Sequence, residues 1–211
     1  METKVFNLII LDESGSMERI KRQAVDGVNE TIQSIRAANK EHPEQMHFVS
    51  LVTFNDNVKT VLDCRHIDLV KEIKDSGYMP DCCTALYDAM GMSLNALKNV
   101  VGDEDKVLVT IITDGMENAS REFKAADIKR IVEELKTKGW VFAYIGADQD
   151  VERVASQIAI GNTMSFSACP GSTADMMNRE RKSRRRFYDR ISDGSFGEVD
   201  ENMNFFSEDD K

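Results

Sequence analysis

The sequence predicts an α/β fold: a doubly wound, mostly parallel central sheet with one antiparallel edge strand and helices on both faces, Rossmann-like in layout. Three observations predict it. Compact apolar runs recur along the chain, amphipathic stripes of helical length separate them, and one pair of runs is joined by a short polar turn. Apolar runs without strict alternation mark strands buried on both faces, and the intervening helices supply the crossover connections that parallel pairing requires.

Each element follows from its residues. Val5–Leu11, interrupted by Asn7, reads as the first buried strand. Ile20, Ala24, Val28, Ile32 and Ile35 then recur at spacings of four, four, four and three, which is one stripe of a long helix. Phe48–Phe54 and Val58–Leu62 flank Asn55-Asp56-Asn57, a hairpin whose turn is supplied by Asn and Asp. A helix runs from about Thr84 to Val100, carrying Leu86, Ala89, Met90 and Leu97, and Val107–Thr113 is the second strongly buried strand. Ile128, Ile131, Val132 and Leu135 form a further helical stripe that Gly139 is placed to stop. Val141–Ile145 is a strand, Val151–Ile160 a helix, Thr163–Phe166 a short last strand, and a final helix ends near Ile191. The expectation is one domain over residues 1–192, including a basic C-terminal helix, followed by an acidic tail over residues 193–211 that is expected to be disordered.

Composition narrows the function classes. The chain has 211 residues, enough for a single core, and its 27 Lys+Arg against 37 Asp+Glu give a formal charge of −10. That charge disfavours bulk binding to nucleic acid or anionic lipid. The run Val5–Leu11 is far shorter than the roughly 20 residues of a membrane span, and it lacks the basic flank and cleavage site of a signal peptide. Cys64, Cys82, Cys83 and Cys169 form no CxxC pair and have no His at zinc-finger spacing, so a reducing cytoplasm is the expected compartment.

In a doubly wound sheet, ligands sit beyond the carboxyl ends of the strands. After the first strand stands Asp12-Glu13-Ser14-Gly15-Ser16-Met17, after Val107–Thr113 stands Asp114-Gly115, and before a helix stands Thr84. Asp12, Ser14, Ser16, Thr84 and Asp114 thus offer two carboxylates and three hydroxyls, all hard oxygens. Such a set suits Mg²⁺ or Mn²⁺ and also accepts Ca²⁺. Gly15 permits the tight turn that brings Ser14 and Ser16 onto one ion. The long helix is expected to begin directly after it, with its free N–H groups facing the site. Taken singly, each Asp reads more often as a helix cap than as a ligand. Jointly, the five favour a metal site. Neutral hydroxyls leave a divalent cation under-compensated, so it should attract an external anion, most naturally a carboxylate from a partner protein.

DxSGSM after a buried strand, Thr84 in TALYDA and TDG after a second strand resemble the von Willebrand factor A domain and its metal-ion-dependent adhesion site. The resemblance implies that Ser14, Ser16 and Thr84 bind the metal directly or through one water. It implies also that Asp12 and Asp114 act mainly through waters, and that a partner's acidic residue completes the coordination. Thr113–Ser120, Ile145–Asp150 and Gly161–Ala168 are similar to the small stand-alone versions of bacteria and their phages, and the likeness covers roughly residues 3 to 190. Where the family commonly has Gly-Gly before the Thr, this chain has Cys82-Cys83.

Other features have plainer readings. Cys82-Cys83 is most simply a pair of semi-buried small residues, with a vicinal disulfide or a soft-metal site as the sharper alternative. His42, His47 and His66 share no spacing and read as surface or satisfied core residues. Residues 179–190 hold seven basic side chains against two acidic ones, read as a solvated helix face, with RNA or partner docking as the alternative. Met90, Met92, Met116, Met176 and Met177 read as core and groove filler, although Met116 and Glu117 adjoin Asp114. Glu13 and Glu117 are acidic neighbours suited to tuning metal affinity or repelling wrong partners.

The expected function is a non-enzymatic, divalent-metal-dependent protein-binding module of the adhesion or scaffold kind. No His follows a strand end and no Lys lies beside the motif to activate a nucleophile. The alternative is a haloacid-dehalogenase-like, Mg²⁺-dependent phosphatase, which would need a carboxylate two residues beyond Asp12, where Ser14 stands. A third reading is a signalling scaffold that works through the basic helix and acidic tail.

Overall fold

A computed structural model describes residues 2–147, 150–167, 170–196 and 205–206. Six strands form one sheet: β1 (Thr3–Asp12), β2 (Gln45–Phe54), β3 (Val58–His66), β4 (Lys106–Thr113), β5 (Val141–Ala147) and β6 (Thr163–Phe166). Their order is β3-β2-β1-β4-β5-β6. Every pairing is parallel except that of β2 with the edge strand β3. In the turn between those two, the Asn55 side-chain oxygen accepts the Asn57 N–H at 2.9 Å. The helices are α1 (Lys21–Glu41), α2 (Leu86–Lys98), α3 (Ala125–Lys136), α4 (Val151–Gln157) and α5 (Pro170–Ser192).

Strand alternation sorts the helices into two layers. Val5, Ile9 and Leu11 of β1 face a core shared with α1 and α5. Phe6, Leu8 and Ile10 face the opposite core, shared with α2, α3 and α4. At the end of α3, Gly139 adopts φ +78° and the Trp140 N–H returns to the Leu135 carbonyl at 3.2 Å, a left-handed helix stop. Among the described residues, no helix is long and apolar enough to cross a membrane.

Two expectations change. The long helix does not start at the motif: a 3-10 segment, Gly15–Ile20, intervenes and α1 begins at Lys21. Within this short segment the Gly15 N–H is donated to the Cys82 carbonyl at 3.2 Å and the Met17 N–H to the Ser14 carbonyl at 3.0 Å, so neither is free to face the site. The basic run, in turn, is not uniformly solvated. Arg184 is fully buried and Arg185 pairs at the surface with Glu41 at 3.4 Å. Arg184 donates to Glu180 from Nε at 2.7 Å, to Thr110 Oγ1 at 2.8 Å and to Asn7 Oδ1 at 3.3 Å. Tyr188 donates to the same Asn7 oxygen at 2.6 Å. This network explains the polar interruption of the first strand, because Asn7 anchors α5 through the sheet face. Burial disfavours the Arg184 charge, yet Glu180 beside it holds the guanidinium firmly protonated. Burial pushes the Tyr188 phenol up to about 12, so it stays a donor.

At the acidic end, Phe196 stacks edge-on against Phe187 with centroids 5.2 Å apart, and Phe205 is buried near the same ring. The rest of the expected tail, residues 197–204 and 207–211, lies outside the described residues. So do Asp148, Gln149, Ala168 and Cys169.

Candidate functional site

The strand order reverses between β1 and β4. From β1 the chain leaves towards α1 on one face, and from β4 towards α3 on the other, which opens a crevice at their carboxyl ends. Register places Leu11 opposite Ile112, so Asp12 and Thr113 emerge side by side.

All five predicted oxygen donors meet in this crevice. Asp12, Ser14, Thr84 and Asp114 are buried, and Ser16 is exposed. The Ser14 N–H donates to Asp12 Oδ1 at 2.7 Å, closing the turn after β1. The Ser14 and Ser16 hydroxyls stand 3.2 Å apart, and Ser16 donates to Asp114 Oδ1 at 2.6 Å across the crevice. Thr84 is placed by its backbone N–H, which donates to Asn118 Oδ1 at 2.9 Å. A Cβ added at Gly115 would lie 2.9 Å from Thr84 Oγ1, 3.4 Å from Asp12 Oδ2 and 3.5 Å from Ser16 Oγ. Oxygens from the loop after β1 and from Thr84 thus face the loop after β4 across one small space that a glycine leaves open.

The electrostatics fit a cation. Burial pushes the Asp12 carboxyl up to about 6; hydrogen bonds from Thr113 and Ser14 oppose that rise, and the charge of Asp114 adds to it. Two buried carboxylates sharing a crevice call for a positive counter-charge. Arg19 provides one, donating from Nε and Nη2 to Asp114 Oδ2 at 3.2 Å each. The donor set contains only hard oxygens, so the residues present fit a small divalent cation.

Sequence reasoning missed the residues that hold these donors. Thr113 Oγ1 donates to Asp12 Oδ2 at 2.5 Å. The Tyr78 hydroxyl donates to the Asp12 carbonyl, and burial raises its phenol far above the ordinary range, so it remains a donor. Glu117 accepts the N–H groups of Tyr87, Ala119 and Ser120 at 3.0, 3.0 and 2.8 Å, shaping the loop after β4 rather than facing outward. Asp88 accepts the N–H groups of Arg121, Glu122 and Phe123 at 2.7, 2.9 and 2.8 Å. Both carboxylates are legible as loop organisers only once α2 is seen to pack beside that loop. Glu13 accepts the Met79 N–H at 2.6 Å. Met79 and Met116 are exposed on the loops that flank the crevice.

The loop carrying Thr84 has two cysteines immediately before that residue. Cys82 adopts φ +65°, the left-handed conformation that a glycine would take at no steric cost. Its carbonyl accepts the Gly15 N–H at 3.2 Å, and the Asp81 N–H donates to the Glu13 carbonyl at 2.9 Å. Thr84 consequently reaches the crevice despite the two cysteines.

The family model of the von Willebrand factor type A domain matches residues 8–178. No curated protein sequence matches the chain. Among solved structures, the chain is similar to a von Willebrand factor type A protein from Catenulispora acidiphila, with TM-score 0.62 and 14% identity over 86% of this chain and 43% of that one. It is similar to the SpRpn10 VWA domain, with TM-score 0.60 and 16% identity over 82% of this chain and 93% of that one. It is similar also to the vWF domain of the type V pili tip protein Mfa5 from Porphyromonas gingivalis, with TM-score 0.61 and 9% identity over 92% and 97% of the two chains. The chain spans less than half the length of the first of these proteins. At such identities the structural likeness speaks for the fold, whereas the family model spans most of the sequence. The chain belongs to the von Willebrand factor type A domain family.

Proposed function

We propose that this protein is a non-enzymatic protein-binding module whose crevice holds a divalent cation, Mg²⁺ or Mn²⁺, that takes a carboxylate from a partner protein. Domains of this family typically mediate protein–protein interaction. The observation that carries the finer reading is the convergence of Asp12, Ser14, Ser16, Thr84 and Asp114 around the open face of Gly115.

In this reading Ser14, Ser16 and Thr84 hold the cation, while Asp12 and Asp114 balance its charge. When bound, the cation supplies a Lewis-acidic position to which a carboxylate from outside can attach. The chain's own residues do the rest. Thr113 and the Ser14 N–H fix the Asp12 carboxylate, Asn118 fixes the Thr84 backbone, and the Tyr78 hydroxyl fixes the end of β1. Their prior placement lowers the ordering cost of binding. Ser14 Oγ is paired with the hydroxyl of Ser16, and no observation gives position 14 the proton-transfer role of a phosphatase.

The test is capture of partners from a lysate of the source cell, with Mg²⁺ and with EDTA, using the wild type and Asp12→Ala. Capture that requires Mg²⁺ and fails in the variant supports the reading. Identical capture under all four conditions overturns it.

A further inference from the structure

We propose that Cys82 and Cys83 form a reversible dithiol–disulfide pair, and that closing the ring weakens the cation site. The coupling rests on the function proposed above; ring formation itself does not.

Both cysteines are exposed, whereas Cys64 is half-buried and hydrogen-bonded to Ser50. Cys82 and Cys83 are consecutive residues, so one peptide unit tethers their two thiols. Adjacent residues have Cα atoms about 3.8 Å apart across a trans peptide, below the roughly 4.4–6.8 Å that an unstrained disulfide spans. A ring closed there is strained and easily reduced. Strained, exposed disulfides are the labile and regulatory kind, so the pair suits switching better than bracing.

The position of the pair makes the strain felt. The Cys82 carbonyl belongs to the peptide that the ring would enclose, and it accepts the N–H of Gly15, the residue between Ser14 and Ser16. One residue beyond the ring stands Thr84, whose Oγ1 faces the same space. Torsional change in the 82–83 peptide therefore acts on two of the three segments that carry cation donors. The left-handed backbone of Cys82 leaves little slack for absorbing it.

The oxidant is a small-molecule disulfide such as oxidised glutathione. The thiolate of one cysteine attacks a sulfur of that disulfide, giving a mixed disulfide and releasing one small thiol. The neighbouring thiolate attacks the protein sulfur of the mixed disulfide, closes the ring and expels the second small thiol. Two protein thiols are oxidised, one small disulfide is reduced, and both protons end on the two released thiols.

The full chain is treated with oxidised glutathione, alkylated and digested with trypsin. Cleavage after Lys74 and Lys98 yields a peptide that contains Cys82 and Cys83 and no other cysteine. The expected result is loss of two hydrogen atoms from that peptide, with no glutathione retained. Mn²⁺ affinity, read from the electron paramagnetic resonance signal of free Mn²⁺, falls about tenfold on oxidation and returns with dithiothreitol. Linkage requires the reciprocal effect: saturating Mn²⁺ makes the pair harder to oxidise by the same factor, about 30 mV for this two-electron couple. The double variant Cys82→Ser/Cys83→Ser binds Mn²⁺ equally in both buffers. Persistent mixed disulfides or unreacted thiols overturn ring formation. Equal Mn²⁺ affinity in the two redox states, or an oxidation effect that survives in the double variant, overturns the coupling. Reduced protein that binds no Mn²⁺ overturns both the coupling and the cation reading of function, while the peptide mass still decides whether the ring forms.

Discussion

Arg19 donates from Nε and Nη2 to a single oxygen of Asp114, each at 3.2 Å, while the other Asp114 oxygen accepts the Ser16 hydroxyl. Asp114 is buried and the Arg19 side chain is half exposed. A half-exposed cation therefore neutralises a buried anion that belongs to the proposed cation site. An incoming divalent ion has to displace this guanidinium or accept its repulsion.

Arg19→Gln should accordingly bind Mn²⁺ more tightly, by about three- to tenfold, since the lost charge lies at the edge of the site and is partly screened. Titration of free Mn²⁺ at fixed ionic strength measures this. Weaker binding in the variant would mean that Arg19 positions Asp114 for the ion rather than competing with it.

Gly115→Ala places a methyl 2.9 Å from Thr84 Oγ1, inside the ring of donor oxygens. Thr84 is buried and cannot simply swing away. The expected outcome is at least about tenfold weaker Mg²⁺ binding, with fold stability reduced by roughly 1–3 kcal/mol for the crowding. Isothermal titration and urea unfolding separate the two effects. Undiminished affinity would show that the cation lies elsewhere.

The layered architecture was legible because parallel strands and crossover helices imprint strong periodicities, as in Val107–Thr113 and the stripe from Ile20 to Ile35. The convergence of Asp12, Ser14, Ser16, Thr84 and Asp114 on one crevice was legible because each adjoins a strand end or a helix start, and the topology then had only one rim on which to gather them. What stayed hidden depends on tertiary packing. Arg184 sits in a charged run, and nothing local marks it as the buried member. The spacing of Glu180, Arg184 and Tyr188 was the available signal, since i and i+4 positions share a helix face. Read together with Asn7 in an otherwise apolar strand, it indicates a polar network crossing the core. Asp88 and Glu117 likewise look like surface charges until α2 and the loop after β4 are packed together.

The buried network gives a stability prediction. Arg184→Met leaves Glu180 buried without its partner and should cost about 3–5 kcal/mol, because an uncompensated buried charge is expensive. Adding Glu180→Leu should restore much of that loss. Urea unfolding of the single and double variants tests it. A cost below about 1 kcal/mol for the single variant would contradict the structural role assigned to the pair.

Acid should expose a second buried group. His47 is buried against Tyr188, and neither ring nitrogen has a hydrogen-bond partner among the described residues. Burial, with neighbouring positive charge from His42, Arg184 and His66, pushes its imidazole down from 6.5 to about 3. The unfolded chain then takes up a proton below pH 6.5 that the folded chain refuses, so stability falls as pH drops through that range. The loss from this residue between pH 7 and pH 5 is about 2 kcal/mol. In the cation-free protein, Asp12 works in the opposite sense. Its raised value lets the folded state hold a proton down from about 6, while the unfolded state releases it until 3.8. His47→Leu should therefore lose less stability than wild type on acidification, or gain some. An unchanged pH dependence would show that His47 accepts a proton in place.

The central claim is tested most directly by diffraction from crystals of this protein grown with Mn²⁺, using the anomalous signal of the ion. The account predicts one anomalous peak in the crevice, bonded to the hydroxyls of Ser14, Ser16 and Thr84, with Asp12 and Asp114 in contact directly or through water. A crevice without a peak at saturating Mn²⁺, with Arg19 still seated on Asp114, would contradict it.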